Sequence, residues 1–129
     1  MSNIDIIDEY FSYELIGNIT KQEIIRAFIT TDPKEYLDEL DYNLWLSLPK
    51  FVEVYRGCNK EELEELGVPL GISYTLSKDV AERFAKRTDG CVIKALVPKE
   101  VIKCYTNRRR EEEVIVLGFP FVYIECEVM

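Results

Sequence analysis

Three short stretches carry residue types that could do chemistry. The first is Val54-Tyr55-Arg56-Gly57. An arginine at the end of an apolar strand packs its stem and leaves its planar fork at the sheet edge. There it can hold a phosphate or carboxylate through two parallel hydrogen bonds. A snorkelling arginine paired with a local acid would leave the same trace. The second is Gly71-Ile72-Ser73-Tyr74-Thr75-Leu76-Ser77. The two-residue period of a strand puts Ser73 and Thr75 on one face, where hydroxyls can bond a ligand or a neighbouring carboxylate. A polar, solvent-facing strand edge has the same pattern. The third is Glu111-Glu112-Glu113-Val114-Ile115-Val116-Leu117, three carboxylates running straight into a buried-type strand. Glu111 and Glu113 share a face and Glu112 points away. Close carboxylates repel when ionised, so stability gives little reason to place them there. A carboxylate pair at a strand start can stabilise a sugar cation or orient a nucleophile. The competing explanation is a charged turn balanced by Arg108-Arg109-Arg110.

The chain has no histidine. That removes histidine-assisted serine or cysteine hydrolysis, histidine phosphotransfer and most metal hydrolysis. Any chemistry must use carboxylates, arginine, lysine, hydroxyls or thiols. The four cysteines, Cys58, Cys91, Cys104 and Cys126, form no C-x-x-C pair, so no metal site is expected. Cys91, Cys104 and Cys126 lie in apolar strand-like runs and read as small buried hydrophobes in a reduced compartment.

The elements that must position these residues change character at Pro49. Before it the pattern is helical. Ile4, Ile7, Phe11, Leu15 and Ile16 recur at helix spacing. Thr20 and Glu23 form a capping-box signal ahead of an apolar face of Ile24, Ile25, Phe28 and Ile29. Asp32-Pro33-Lys34-Glu35 is a third start signal, and Tyr36, Leu37, Leu40, Leu44 and Leu48 predict one helix running to Pro49. After Pro49 the pattern is strand and turn. Strands are expected at 51–56, 71–76, 91–97, 101–105, 113–118 and 121–128. A short helix is expected at 60–66. Another, capped by Ser77, is expected over 78–87 with Val80, Ala81, Phe84 and Ala85 on one face. The layout predicts a single α+β domain: helices over 1–48, covering one side of a mostly antiparallel sheet over 51–128.

At 129 residues the chain fits one domain with one core. Apolar residues make up 47% and charged residues 31%, a soluble globular composition. No apolar run is long enough for a membrane helix. The N-terminus lacks the layout of a signal peptide, so a cytoplasmic setting is expected. The net charge is -8, and residues 1–50 hold ten acids against four bases. Such a field repels phosphate backbones and argues against nucleic-acid binding. The acidic half would suit a basic partner, or simply form a solvated surface.

Taken in order, the three motifs resemble the Arg–Ser–Glu branch of the ADP-ribosyltransferase superfamily. That family has an aromatic-Arg pair ending its first core strand, here Tyr55-Arg56. A Ser-Thr-Ser-like strand leads into a helix with a Phe-Ala contact, here Ser73-Tyr74-Thr75-Leu76 and Phe84-Ala85. A Glu-x-Glu opens a hydrophobic strand, here Glu111-Glu112-Glu113. The resemblance covers about residues 51–128. It implies a split β-sandwich core with N-terminal helices, and NAD bound as substrate in the cleft between two sheets. It further implies Arg56, Gly57, Ser73, Thr75 and Phe84 as NAD contacts.

The roles implied are as follows. Arg56 neutralises the phosphates, Ser73 fixes the rotamer of Glu113, and Glu113 stabilises the oxocarbenium-like state as neutral nicotinamide departs. Glu111 tunes the acceptor, and a glutamate there accompanies arginine acceptors. Were Glu112 the catalytic carboxylate, Arg110 would stand at the acceptor position; Glu113 is preferred because the apolar strand begins at the next residue. The stretch Tyr105–Arg110 corresponds to the loop that meets a target protein, and its arginines suit an acidic target surface. The expectation is a small, toxin-like mono-ADP-ribosyltransferase acting in a cytoplasm, that of a host if a phage or mobile element carries it. NAD glycohydrolysis on the same residues is one alternative. A non-catalytic inhibitor working through the acidic helices of 1–48 is the other.

Overall fold

The structure, a computed structural model, describes residues 2–12, 19–58, 72–87 and 90–117, and the backbone of 123–128. The helix expected at 60–66 lies outside the described residues, as do Leu15 and Ile16.

Helix α1 (Asn3–Ser12) opens on a reciprocal pair: Ser2 Oγ accepts from the Asp5 amide and the Asp5 carboxylate accepts from the Ser2 amide. It buries Ile6, Ile7 and Phe11. Ile4, expected on the buried stripe, is exposed, and Ile6 takes its place. Helix α2 (Lys21–Thr30) starts where expected, with Thr20 Oγ1 accepting from the Glu23 amide at 3.1 Å. Its buried stripe is Ile24, Ala27 and Phe28. Ile29 is 58% exposed, because a further 100° per residue turns it past the contact face.

The single helix expected from Pro33 to Pro49 is two elements. A 3-10 turn covers Pro33–Glu35, and α3 covers Glu39–Leu46. The break has a local cause. Asp38 is a second N-cap, its carboxylate accepting from the Asp41 amide at 2.8 Å. That side-chain bond competes with continuing the first turn. Leu40, counted on the apolar stripe, ends up exposed.

Among the described residues six strands form one antiparallel sheet in the order β4-β5-β2-β1-β3-β6. They are β1 (Phe51–Cys58), β2 (Ser73–Thr75), β3 (Cys91–Pro98), β4 (Ile102–Thr106), β5 (Glu113–Val116) and β6 (Tyr123–Val128). Val101, expected to open a strand, closes a 3-10 turn over Lys99–Val101 instead. The expected split sandwich therefore takes another form among the described residues: one open sheet, nearly divided. Strand β1 pairs with β3 along its whole length, from Phe51↔Pro98 to Cys58↔Cys91, but meets β2 at the Tyr55↔Thr75 pair.

Helices cover both faces, not one. Alternation along β5 sends Ile115 to one side and Val114 and Val116 to the other. Ile115, with Cys104 and Ile72, packs against Ile7, Phe11, Ile24 and Phe28 of α1 and α2. Val114 and Val116, with Val52, Val54, Ala95 and Val97, pack toward Leu44, Trp45 and Leu48 of the α3 region. Trp45 Nε1 donates to the Ile102 carbonyl at 3.0 Å. Helix α4 (Lys78–Arg87) buries Val80, Ala81 and Ala85 and lies on β1. Gly57 permits that approach. A Cβ there would stand 2.3 Å from the Ala81 carbonyl oxygen and 2.7 Å from Phe84 Cβ. No described helix is long and apolar enough to cross a membrane.

Candidate functional site

The narrow joint between β1 and β2 is where the site forms. Beyond the Tyr55↔Thr75 pair, Arg56 Nη1 donates to the Ser73 carbonyl at 2.7 Å, so the guanidinium stands in the split between the two strands. Its carbon lies 6.0 Å from the centre of the Tyr74 ring. Arg56 was expected at a sheet edge. It sits instead on a strand with neighbours on both sides, and its fork reaches the cavity through the interruption in pairing.

Ser73 links the other two motifs. Its carbonyl takes Arg56, and its hydroxyl donates to Glu113 Oε2 at 2.7 Å. Strand register brings this about: Ser73 stands opposite Ile115 and Thr75 opposite Glu113. Glu113 is 4% exposed. Its Oε1 accepts no hydrogen bond among the described residues and lies 3.7 Å from Arg109 Nε. Burial pushes the Glu113 carboxyl above the usual carboxylate range, and Glu111 adds to this. The Ser73 hydroxyl and Arg109 pull the other way.

These residues line a cavity of about 400 Å³, with Tyr10, Tyr55, Val80, Phe84, Arg109 and Glu111 among its walls. That size lies within the range of small-molecule sites. A smaller recess of about 170 Å³ shares Val80, Phe84, Arg109 and Glu111 with it and adds Arg83, Arg87 and Arg110. Four arginines against one carboxylate make a locally basic rim on a chain of net charge -8.

The remaining expected residues fall as follows. Glu111 lines both recesses, half-buried. Glu112 is exposed, with φ 45°, and its carbonyl accepts from the Leu76 amide. The register left open in the glutamate run thus places Glu113 in the cavity and Glu112 on the surface. Thr75 borders the cavity but uses its hydroxyl on the backbone, donating to the Glu111 carbonyl at 2.6 Å and accepting from the Ser77 amide at 3.0 Å. Its chief effect is to fix the loop carrying Glu111. Gly57 also borders the cavity, yet the space above its Cα is filled by α4, so its small size serves helix packing. Phe84 is a partly exposed wall, with the Arg87 guanidinium 5.7 Å from its ring centre.

The loop Asn107–Glu112 differs most from expectation. Two of its three arginines turn toward α1. Arg108 pairs with Asp8 at 3.0 Å and donates to the Tyr36 carbonyl. Arg109 donates to the carbonyls of Tyr10 and Phe11 and lies 5.6 Å from each of their rings. These carbonyls belong to the last described turn of α1, and carbonyls at such a helix end favour a cation. Asp41 of α3 ties down the start of the loop, accepting from Thr106 Oγ1 at 3.0 Å and the Asn107 amide at 3.1 Å.

Sequence reasoning missed Tyr10 and Arg109 as site residues. Tyr10 Oη hydrogen-bonds Ser73 Oγ across 63 positions of chain. No local pattern carries that signal: Tyr10 stands beside an apolar helical stripe, and Arg109 sits inside a basic run. Among the described residues no group of three histidine, cysteine, aspartate or glutamate side chains could hold a metal. Burial pushes the Cys104 thiol up to about 12, so it stays protonated and unreactive. The Cys58 and Cys91 thiols face each other across β1 and β3 at 3.2 Å. No protein-family model, curated protein or solved structure matches the chain.

Proposed function

We propose that this protein uses NAD as a substrate and moves its ADP-ribose to a protein side chain, releasing nicotinamide. The observation that carries the reading is the position of Ser73, which holds Arg56 through its carbonyl and Glu113 through its hydroxyl in one cavity. The basic rim of Arg83, Arg87, Arg109 and Arg110 beside that cavity supports a ligand bearing phosphates.

The residues would work as follows. Arg56 and the rim arginines neutralise the pyrophosphate. Glu113 Oε1 takes a hydrogen bond from the ribose, and its charge stabilises the cation that develops as the glycosidic bond breaks. Both electrons of that bond leave with nicotinamide, which departs neutral and requires no strong general acid. The acceptor nitrogen forms the new bond to the ribose carbon, and Glu111, at the cavity mouth, takes the proton lost. In this scheme the nearly divided sheet replaces the cleft of a two-sheet sandwich, and an arginine acceptor follows from a carboxylate at position 111. The inward turn of Arg108 and Arg109 leaves Arg110 as the loop arginine best placed for an acidic target.

A second reading, NAD glycohydrolysis, is favoured by one feature. Arg109 and Tyr10 of this chain already crowd Glu113, which suits water as acceptor better than a bulky side chain.

The test is incubation with NAD labelled in its adenylate half, with and without cell lysate, reading nicotinamide release and labelled protein together. Labelled protein supports transfer. Nicotinamide without labelled protein moves the assignment to the glycohydrolase. The absence of both, with Glu113→Gln indistinguishable from wild type, overturns the NAD reading.

A further inference from the structure

Ser73 has one proton and two oxygen neighbours. Its Oγ lies 2.7 Å from Glu113 Oε2 and within hydrogen-bonding distance of Tyr10 Oη. An ionised carboxylate can only accept. The Ser73 proton must then go to Glu113, and the bond to Tyr10 must be made with the tyrosine proton. While Glu113 is ionised, valence fixes the order of donors: Tyr10 to Ser73, and Ser73 to Glu113.

Tyr10 is held for this role. Its ring packs edge-to-face against Phe11 at 5.5 Å and Phe28 at 5.6 Å. Its own carbonyl, with that of Phe11, anchors Arg109, whose Nε stands 3.7 Å from the other Glu113 oxygen. The end of α1 therefore bears on both oxygens of Glu113, through a hydroxyl chain on one and a cation on the other.

We propose that α1 belongs to the active site and that Tyr10 is a positioning residue, which donates its phenolic proton to Ser73 and so points the Ser73 hydroxyl at Glu113. The consequence for turnover rests on the NAD reading above; the hydrogen-bond order does not. Tyr10 stays protonated in this role, since burial holds its phenol above the usual range. The ionisable groups facing the pair are Arg56 from β1, Cys104 from β4, and Arg108, Arg109 and Glu111 from the loop.

The sign of the effect follows. Losing the Tyr10 donor weakens the Ser73 bond to the charged form of Glu113, so Glu113 should hold its proton to higher pH. The experiment is a carbon NMR titration of protein carrying labelled glutamate carboxyls and tyrosine ring carbons, in wild type and Tyr10→Phe. Phenylalanine keeps the ring packing and removes only the hydroxyl. The Glu113 midpoint should move upward in Tyr10→Phe, and the same substitution made on Ser73→Ala should add nothing. In wild type the Tyr10 ring carbon should shift as Glu113 titrates. That last readout needs no variant and holds if Tyr10→Phe folds poorly.

An unchanged Glu113 midpoint in a folded Tyr10→Phe, or a Tyr10 resonance indifferent to Glu113, overturns the proposal. In turnover, loss of one hydrogen bond of this kind predicts a kcat about five- to tenfold lower, with KM nearly unchanged and the acid limb of the profile moved to higher pH. Wild type releasing no nicotinamide would end the NAD reading and leave the hydrogen-bond order standing. Active wild type with an indifferent Glu113 would do the reverse.

Discussion

Burying the Glu113 carboxylate works against the fold. The side chain is almost fully enclosed, and its ionised form has one firm hydrogen bond and a cation at 3.7 Å. Because burial raises its pKa in the folded state, stability is fully present below the unfolded carboxylate value and declines as pH rises through the folded value. Glu113→Gln keeps the acceptor for Ser73 and removes the charge. We expect its melting temperature to exceed that of wild type at neutral pH, and the difference to vanish under acid conditions. A scan of melting temperature against pH for the two proteins checks this. A wild type that is more stable than the variant at neutral pH would mean that Arg109 and Ser73 more than offset burial. Under the NAD reading the same variant should lose at least about a hundredfold in nicotinamide release, the usual scale for removing a group that stabilises developing charge. Stability gained where activity is lost separates a working carboxylate from a structural one. That Glu113 turns inward and Glu112 outward was legible because Val114 starts the apolar run and strand alternation does the rest. The hydroxyl of Thr75 was not, since its partner is a backbone carbonyl of the folded loop.

At the scale of elements, the contact of α4 with β1 decides whether the cavity has a far wall. It depends on Gly57, where a Cβ would collide with backbone atoms of α4 at 2.3 and 2.9 Å. Backbone cannot yield as a side-chain tip can, so Gly57→Ala must displace the helix. The expected cost is about 1–3 kcal/mol, typical of overpacking. It should appear as a lower denaturant midpoint with an unchanged slope. A ligand bridging β1 and Phe84 should also bind more weakly. A variant as stable as wild type would show that α4 is free to move. Helix starts at Thr20 and Ser77 were readable because a cap is a bond within three residues of sequence. The break before α3 was misread for a related reason: Asp32 and Asp38 are both good caps six residues apart, and periodicity alone does not rank them.

For the whole molecule, the division between helices at 1–48 and a core at 51–128 holds in sequence but not in packing. Ile7, Phe11, Ile24 and Phe28 share one buried cluster with Cys104 and Ile115 of the sheet. Each such side chain is worth about 1.5–3 kcal/mol when buried, and a domain's net stability is only about 5–15 kcal/mol. Residues 51–129 expressed alone should therefore show no cooperative unfolding transition and should bind a hydrophobic dye. A sharp transition in that fragment would contradict the shared core. The missing helices would also take away Tyr10 and the carbonyls that anchor Arg109.

By itself the sequence determined which residue types were available and which local periods they obeyed. The absence of histidine, the caps, the period-two strands and the apolar onset at Val114 all act within a few residues, so they could be read in order. The sheet's division at the Tyr55↔Thr75 pair, the inward turn of Arg109 and the reach of Tyr10 to Ser73 were decided only by the tertiary structure. They join positions tens of residues apart, and which distant strand or helix end meets which is set by burial summed over the whole chain. The strands that carry Arg56, Ser73 and Glu113 could be read from one dimension. What surrounds them, and which proton each hydroxyl gives, belongs to three.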